Sequence, residues 1–533
     1  MVAVAPDAAN QDMTSRSIVL MILGPALLAA AIRVVGIRWD QPFYLHPDEG
    51  FVTNPASLLL KTGRLKARSD QGKPNYVYPP LLAEIIALEC LAYYPFSSWP
   101  SLKHIPKASV RMAGRASTTV AAAVTVSLLG WLALRLTGSL AVGALAGTVL
   151  ALSPLHAESS RYATTDVLTG LWVLLAAWAG ARIVEQGRWR DYVLGAVAVG
   201  AAAATKYPAG IACVLIAVAH FARPAVFAAP REHKKLVAAA LCTLAAMVVI
   251  LPPGVVDWKA LYGGAQFQIS VYGRGHGGFQ SPHPAWDGVR TLWTVGLGEC
   301  AMVAGMLWLR GPTSRRRLLP LIALCAAYLL LLGAQGMFMA RNLIHFLPAT
   351  ILLCSWGFAR ALDGARRLGS FSVALLALGL VLPSAARAAA QVRALYPRDT
   401  RLLARDWVAE HLKPGTRVVV TNGGHPYSVA PLQDLGLKLH LSGRPDLDAL
   451  HKKGFRWVVH SDGVDVRFLR TPERFPDEVE AIRTWTEGLE RRGKLEKHFP
   501  RRPLPGGDLP GSTAPMYHQP DVKIFRIDGP RPR

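Results

Sequence analysis

The sequence is short of charge, short of acid and short of cysteine. Only 18% of its 533 residues are Asp, Glu, Lys or Arg, against about 25% in ordinary soluble domains. That is too little charge to clothe a water-soluble surface of this size. Acids number 35 against 59 Lys and Arg, a formal net charge of +24. Such an excess fits an anionic lipid surface, an anionic lipid-linked substrate or nucleic acid. No nucleic-acid motif is present, and most basic residues sit in loops between apolar runs, which selects lipid over nucleic acid. The six cysteines include no CxxC pair, so no disulfide framework is expected; Cys213, Cys242, Cys300, Cys325 and Cys354 lie inside apolar segments and read as core packing.

What the sequence has is long hydrophobic runs, 51% of it being apolar. Candidate spans lie at 17–36, 109–135, 139–155, 165–184, 190–205, 208–222, 235–254, 289–309, 317–335, 341–360 and 370–389, mostly of the length that crosses a bilayer as a helix, about 17–25 residues. The first is long for a signal-peptide core and is read as an uncleaved anchor. The stretch 79–99, PPLLAEIIALECLAYYPFSSW, is ambiguous because it carries Glu84 and Glu89. Charge arbitrates. Without this segment as a span, the loops holding Arg135, Arg188 and Arg190, the Arg223–Lys235 cluster, Arg315–Arg317 and Arg366–Arg367 all fall on one side. That asymmetry places the amino terminus in the cytoplasm and 79–99 as a helix on the outer membrane surface. An outward amino terminus with twelve spans also keeps the basic loops inside, but separates the acidic clusters described below.

The expected fold is thus a polytopic α-helical membrane protein of about 11 transmembrane helices, with a membrane domain at 1–390, a first outer loop at 37–108, and a soluble α/β domain at 391–533. In that tail TRLLARDWVAEHL (400–412) has helical periodicity; TRVVVT (416–421), RWVVHS (456–461) and DVKIFRI (521–527) read as strands, and 500–520 as a loop. The domain is expected outside the cytoplasm, and the whole in the inner (plasma) membrane.

On this topology, acids and bases meet at one membrane face. His46, Asp48 and Glu49 follow the first span in HPDEG; SPLHAESSRYATTD (153–166) brings Glu158, Arg161 and Asp166; ATKYPAG brings Lys206; FMARNLIHFLP brings Arg341 and His345. Ionisable groups at a membrane are costly unless paired or wet, which makes them functional candidates. Each also has a plainer reading. Asp48 and Glu49 could cap a short helix behind Pro47, Asp166 could answer a helix dipole, and Lys206 and Arg341 could snorkel to headgroups. Those readings leave the convergence unexplained. His276 and His283 match no strong metal spacing and read as loop residues.

HPDEG, YPPLLAEI, SVRMAGRASTTVAAAVTV, SPLHAESSRYATTD and ATKYPAG, in this order, resemble the GT-C integral-membrane glycosyltransferases, in particular bacterial relatives of dolichyl-phosphate-mannose protein mannosyltransferases and lipid A aminoarabinose transferases. The resemblance implies a sugar donor on a polyprenyl phosphate, an acceptor arriving from outside, and Asp48 as the catalytic aspartate, with Glu49 its acidic neighbour and Asp166 the acid of the second outer loop. Lys206 and Arg341, with Arg161, are expected at the donor phosphate. His46, Tyr78 and Glu84 are expected at the substrate or on the surface helix; Tyr78 stands where the mannosyltransferases have His, and Glu84 near their basic residue. An acceptor hydroxyl that loses its proton to Asp48 as it attacks implies inversion at the sugar carbon. Glu49 and Asp166 orient Asp48 or the acceptor, or alternatively hold a divalent cation; the metal is left open. The rival class is a transporter or lipid flippase, which predicts ionisable residues at span midpoints and inverted repeats. The span interiors are mostly Ala, Leu, Val and Gly.

Overall fold

In the computed structural model, which describes residues 15–65, 76–298, 315–422, 429–502, 509, 511–512 and 518–527, the apolar runs are helices. In chain order they begin with α1 (Ser15–Val34), α2 (Gly50–Thr62), α3 (Leu81–Tyr93), α4 (Lys107–Thr137), α5 (Leu140–Leu152), α6 (Pro154–Ser159) and α7 (Asp166–Glu185). There follow α8 (Trp189–Thr205), α9 (Cys213–Phe221), α10 (Pro224–Ala228), α11 (His233–Ile250), α12 (Trp258–Arg274) and α13 (Pro284–Thr291). After residue 314 come α14 (Arg315–Gly333), α15 (Leu347–Arg366) and α16 (Ser370–Leu395). Among the described residues six helices are long and apolar enough to cross a membrane, and Leu140–Leu152 and Tyr207–Phe221 are shorter apolar helices. The expected span 289–309 lies outside the described residues from 299 onwards, as does Cys300.

The segment 79–99 is a 13-residue helix, α3, followed by a short 3-10 turn at Tyr94–Phe96. At 1.5 Å per residue α3 is about 20 Å long, short of a hydrocarbon core of about 30 Å. It buries Leu82, Ala83, Ile86, Ala87 and Cys90 and exposes Leu88, Leu91 and Tyr93.

Small residues let the helices close on the elements that carry the site. A Cβ on Gly114 of α4 would lie 2.6 Å from Ala163 Cβ, and one on Gly170 of α7 would lie 2.9 Å from the Ile344 carbonyl oxygen. The turn 160–165 and the 3-10 helix Ala340–His345 are therefore held at backbone distance from α4 and α7.

Helix α16 runs on to Leu395, past the expected boundary at 390. Then come α17 (Thr400–His411), α18 (Leu447–Lys452), α19 (Val466–Leu469) and α20 (Pro476–Arg492), around a five-stranded sheet of order β2-β1-β3-β5-β4. The strands are β1 (Arg417–Val420), β2 (Lys438–Leu441), β3 (Trp457–Ser461), β4 (Gly493–Phe499) and β5 (Val522–Ile527). The first three pair in parallel, with Val419 opposite Val458, and β5 and β4 add antiparallel, with Val458 opposite Phe525. The loop expected at 500–520 falls partly outside the described residues. One apolar cluster joins this segment to the helical part: Trp39, Leu45, Tyr162, Phe279, Met337 and Met339 pack with Leu402, Ala430 and Val466.

Candidate active site

The HPDEG turn folds as its residues dictate. Pro47 occupies the first position of a 3-10 helix, Pro47–Glu49, and His46 caps it, its Nδ1 accepting the Asp48 N–H at 3.3 Å. His46 is buried, and burial pushes its imidazole down to about 4; the neutral ring is the form whose Nδ1 can accept. The turn sends its two acids in different directions.

Asp48 is ion-paired with Arg341, which the Ala340–His345 helix delivers; their side chains are 16% and 12% exposed. Burial pushes the Asp48 carboxyl up, but Arg341 and then His46 more than offset this and hold it below its ordinary value. A second pair lies alongside. Asp166 opens α7, and Lys206, released at the end of α8, donates to its Oδ1 at 2.6 Å and to Asn342 Oδ1 at 3.2 Å. His345 Nε2 lies 3.1 Å from both Asp166 Oδ1 and Lys206 Nζ. Tyr78 links the pairs: its ring centroid is 5.9 Å from Lys206 Nζ, and Arg341, Asp48 and Asp166 all act electrostatically on its hydroxyl. Tyr272 hydrogen-bonds Asn342 Oδ1 at 3.3 Å.

Glu49 is placed differently from the expectation. It is fully buried, taking Arg115 Nε on one oxygen at 2.7 Å and Arg115 Nη2 on the other at 2.8 Å, while the Ala163 N–H adds 2.9 Å. The same guanidinium reaches Asp40 through two contacts of 2.8 Å. Glu49 thus ties the first loop to α4 and to the 160–165 turn, its side chain having no exposed surface. Arg161 is also displaced from its expected role at the donor phosphate. It is buried and donates to the carbonyls of Ile32 (2.8 Å), Val35 (3.0 Å) and Ala157 (3.0 Å) and to Gln391 Oε1 (3.3 Å). The cause is local: the last carbonyls of α1 have no helical partner and, buried, need a donor. Glu84 sits in the first turn of α3 and forms no ion pair among the described residues; burial pushes its carboxyl up to about 7.

Sequence reasoning missed Asp40, Arg115 and Asn342. Arg115 carried a signal, a charge two turns inside an apolar helix; Asn342 carried none beyond its place beside Arg341. A resident cation does not fit this donor set. Asp48 and Asp166 are each neutralised by a protein cation, Glu49 is filled by Arg115, and no group of three or more metal-ligating side chains occurs among the described residues.

Residues 70–255 match the family model described as dolichyl-phosphate-mannose-protein mannosyltransferase. No curated protein matches the sequence. The structure is similar to that of the Archaeoglobus fulgidus oligosaccharyltransferase in the apo form, with TM-score 0.58 and 11% identity over 86% of this chain and 71% of that one. It is similar also to ArnT from Cupriavidus metallidurans bound to undecaprenyl phosphate, with TM-score 0.52 and 14% identity over 97% of this chain and 100% of that one. The apo state of that protein gives TM-score 0.51 and 15% identity over 96% and 99%. At these identities the likeness is one of fold.

Proposed function

We propose that this chain, an integral-membrane protein with a GT-C glycosyltransferase fold and a segment at 70–255 that matches the dolichyl-phosphate-mannose-protein mannosyltransferase family model, transfers a sugar from a polyprenyl-phosphate donor to a hydroxyl of an extracytoplasmic acceptor: an envelope glycan, a lipid or a protein. The observation that carries the reading is the pairing of two acids with two bases around Tyr78, Asp48 with Arg341 and Asp166 with Lys206. The structure bound to undecaprenyl phosphate shares this fold and motivates the lipid class of the donor.

In the reaction the acceptor oxygen attacks the anomeric carbon, the bond from that carbon to the phosphate oxygen breaks, and the acceptor proton passes to Asp48. Help of this kind is worth about 10²–10⁴ in rate. Charge grows on the departing phosphate, where Arg341 and Lys206 are the cations at hand; one well-placed donor contributes about 3–4 kcal/mol. Arg341 offers a planar fork and Lys206 a point charge. A retaining path would need a second carboxylate as nucleophile about 5 Å from the acid. Glu49 cannot serve, since Arg115 holds both its oxygens, and Asp166 is bound by Lys206 and His345. Direct displacement with inversion is the step this favours. The isoprenoid chain stays in lipid, with the protein in the plasma membrane, its amino terminus cytoplasmic and residues after α16 extracytoplasmic.

The test is transfer by purified protein in lipid, wild type against Asp48→Asn, with a panel of polyprenyl-phosphate sugars and an envelope extract as acceptor. Wild type is expected to release polyprenyl phosphate, and the folded variant to lose a factor of about 10² or more. Equal release by both removes Asp48 from the chemistry. No donor use by wild type under any condition overturns the reading.

A further inference from the structure

The Asp48 turn is backed by a column of three rings, and the last of them comes from the far end of the chain. His46 caps the turn. Its ring centroid lies 4.2 Å from that of Tyr162, which stands in the 160–165 turn. The Tyr162 ring stacks on His518 at 5.5 Å, and its hydroxyl is hydrogen-bonded to His518 Nε2. The His518 ring also packs against Trp39, the centroids 4.5 Å apart and the planes at 67°. Tyr162 and His518 are 3% and 1% exposed, so this column is as dry as a protein core.

His518 is itself anchored. The neighbouring Gln519 accepts the Thr400 N–H at 3.1 Å and donates its own N–H to Asp399 Oδ2 at 3.2 Å. Asp399 is clamped by buried Arg401 through two contacts of 2.8 Å, and the Arg401 guanidinium lies over Trp39 at 5.1 Å. Burial keeps both imidazoles, His46 and His518, depressed and therefore neutral, so the column carries no charge that would draw water.

We infer that the carboxyl-terminal segment is part of the active-site scaffold, and that His518 is the positioning residue through which it fixes the Asp48 turn, by way of Tyr162 and His46. Asp48 does not touch His518; the influence passes through two rings and one backbone hydrogen bond. The base role of Asp48 is taken from the proposed function, but the positioning claim has a readout of its own.

The experiment uses the full chain in lipid nanodiscs, with wild type, His518→Ala, His518→Phe and Tyr162→Phe. Hydrogen exchange is followed over 44–52, and transfer kinetics are measured alongside. His518→Ala is expected to raise exchange at 44–52 about 10-fold by easing local opening, while α4 and α7 stay protected. The same variant is expected to lower kcat by about 10- to 10²-fold, because misplacing a reacting group by an ångström costs that much, with the donor KM little changed. His518→Phe, which keeps a ring but not the nitrogen, falls between. Tyr162→Phe removes only the hydroxyl and covers the case in which His518→Ala does not fold. Wild-type exchange at 44–52 in the folded variants overturns the inference whatever the transfer assay gives. If exchange rises as expected while wild type transfers nothing, the positioning stands and the glycosyltransfer reading fails. If exchange rises but kcat is unchanged, His518 packs the turn without serving the reaction, and the inference is wrong.

Discussion

Arg115→Met is the perturbation whose size the structure fixes best. Arg115, Asp40 and Glu49 have no exposed side-chain surface, and the guanidinium makes four hydrogen bonds to the two carboxylates, at 2.7, 2.8, 2.8 and 2.8 Å. A fifth, at 2.6 Å, goes to the Ile37 carbonyl. Met fills the volume but leaves two buried carboxylates, whose remaining hydrogen bonds among the described residues are from the Leu45 N–H at 2.7 Å and the Ala163 N–H at 2.9 Å. Breaking one buried pair typically costs about 3–5 kcal/mol. The chain can also limit its loss by protonating the acids, and that sets a ceiling. At pH 7, protonating ordinary Asp and Glu costs about 4 kcal/mol each, and at pH 5 about 1–1.5 kcal/mol each, at 1.36 kcal/mol per unit. The variant is thus expected to be about 3–8 kcal/mol less stable at pH 7 and to recover most of that by pH 5. Denaturant titration in mixed micelles at the two pH values measures it. A loss under about 1 kcal/mol, or one equal at both pH values, refutes the buried triad. Glu49→Gln is the companion. It keeps one acceptor and is expected to cost about 1–3 kcal/mol, while the folded enzyme keeps kcat within a few-fold; a 10² loss of kcat with stability intact would return Glu49 to the chemistry.

Arg341→Gln is expected to lower kcat/KM by about 10²–10³, the value of one transition-state donor. It also shifts the pH profile. Asp48 works ionised, Arg341 holds its carboxyl below the ordinary value against burial and the nearby Asp166, and removing Arg341 raises it, so the acid limb of kcat/KM moves to higher pH; an unmoved limb shows that the pair is not what tunes the base. Glu84 has the opposite sign. Its carboxyl is raised from 4.5 to about 7, so native stability falls as pH rises through that interval, and Glu84→Gln is expected to melt higher than wild type above pH 7 and equally near pH 4.

The parts of this molecule legible in the sequence are those where one local property decides the structure. Run length and flanking charge fix the long helices, and α3 is set apart from the spans because leaving it out places the basic loops on one side. The interior strands β1, β3 and β5 showed as VVV, WVV and KIF because both their faces are buried. The edge strands β2 and β4 were missed: no position of KLHL or GKLEKHF is fully buried, KLHL alternates polar and apolar over only four residues, and GKLEKHF carries no such alternation. The site divides in the same way. That Asp48, Asp166, Lys206 and Arg341 share a face follows from which ends of the spans they occupy. Which acid takes which base does not, because pairing is a property of packing. Asp48 and Glu49 are neighbours in the chain, yet on a 3-10 turn successive side chains point about 120° apart, so one acid meets Arg341 and the other meets Arg115 in the core. Arg161 had the same exposure to misreading: an arginine at a membrane face can serve a phosphate or a helix end, and the choice fell to the unpaired carbonyls of Ile32 and Val35. A cationic side chain near an active site is therefore evidence for the chemistry only after its neighbours' backbone demands have been met. By that criterion Lys206 and Arg341, each paired with a carboxylate of the site, are the two cations to which the proposed function assigns the departing phosphate.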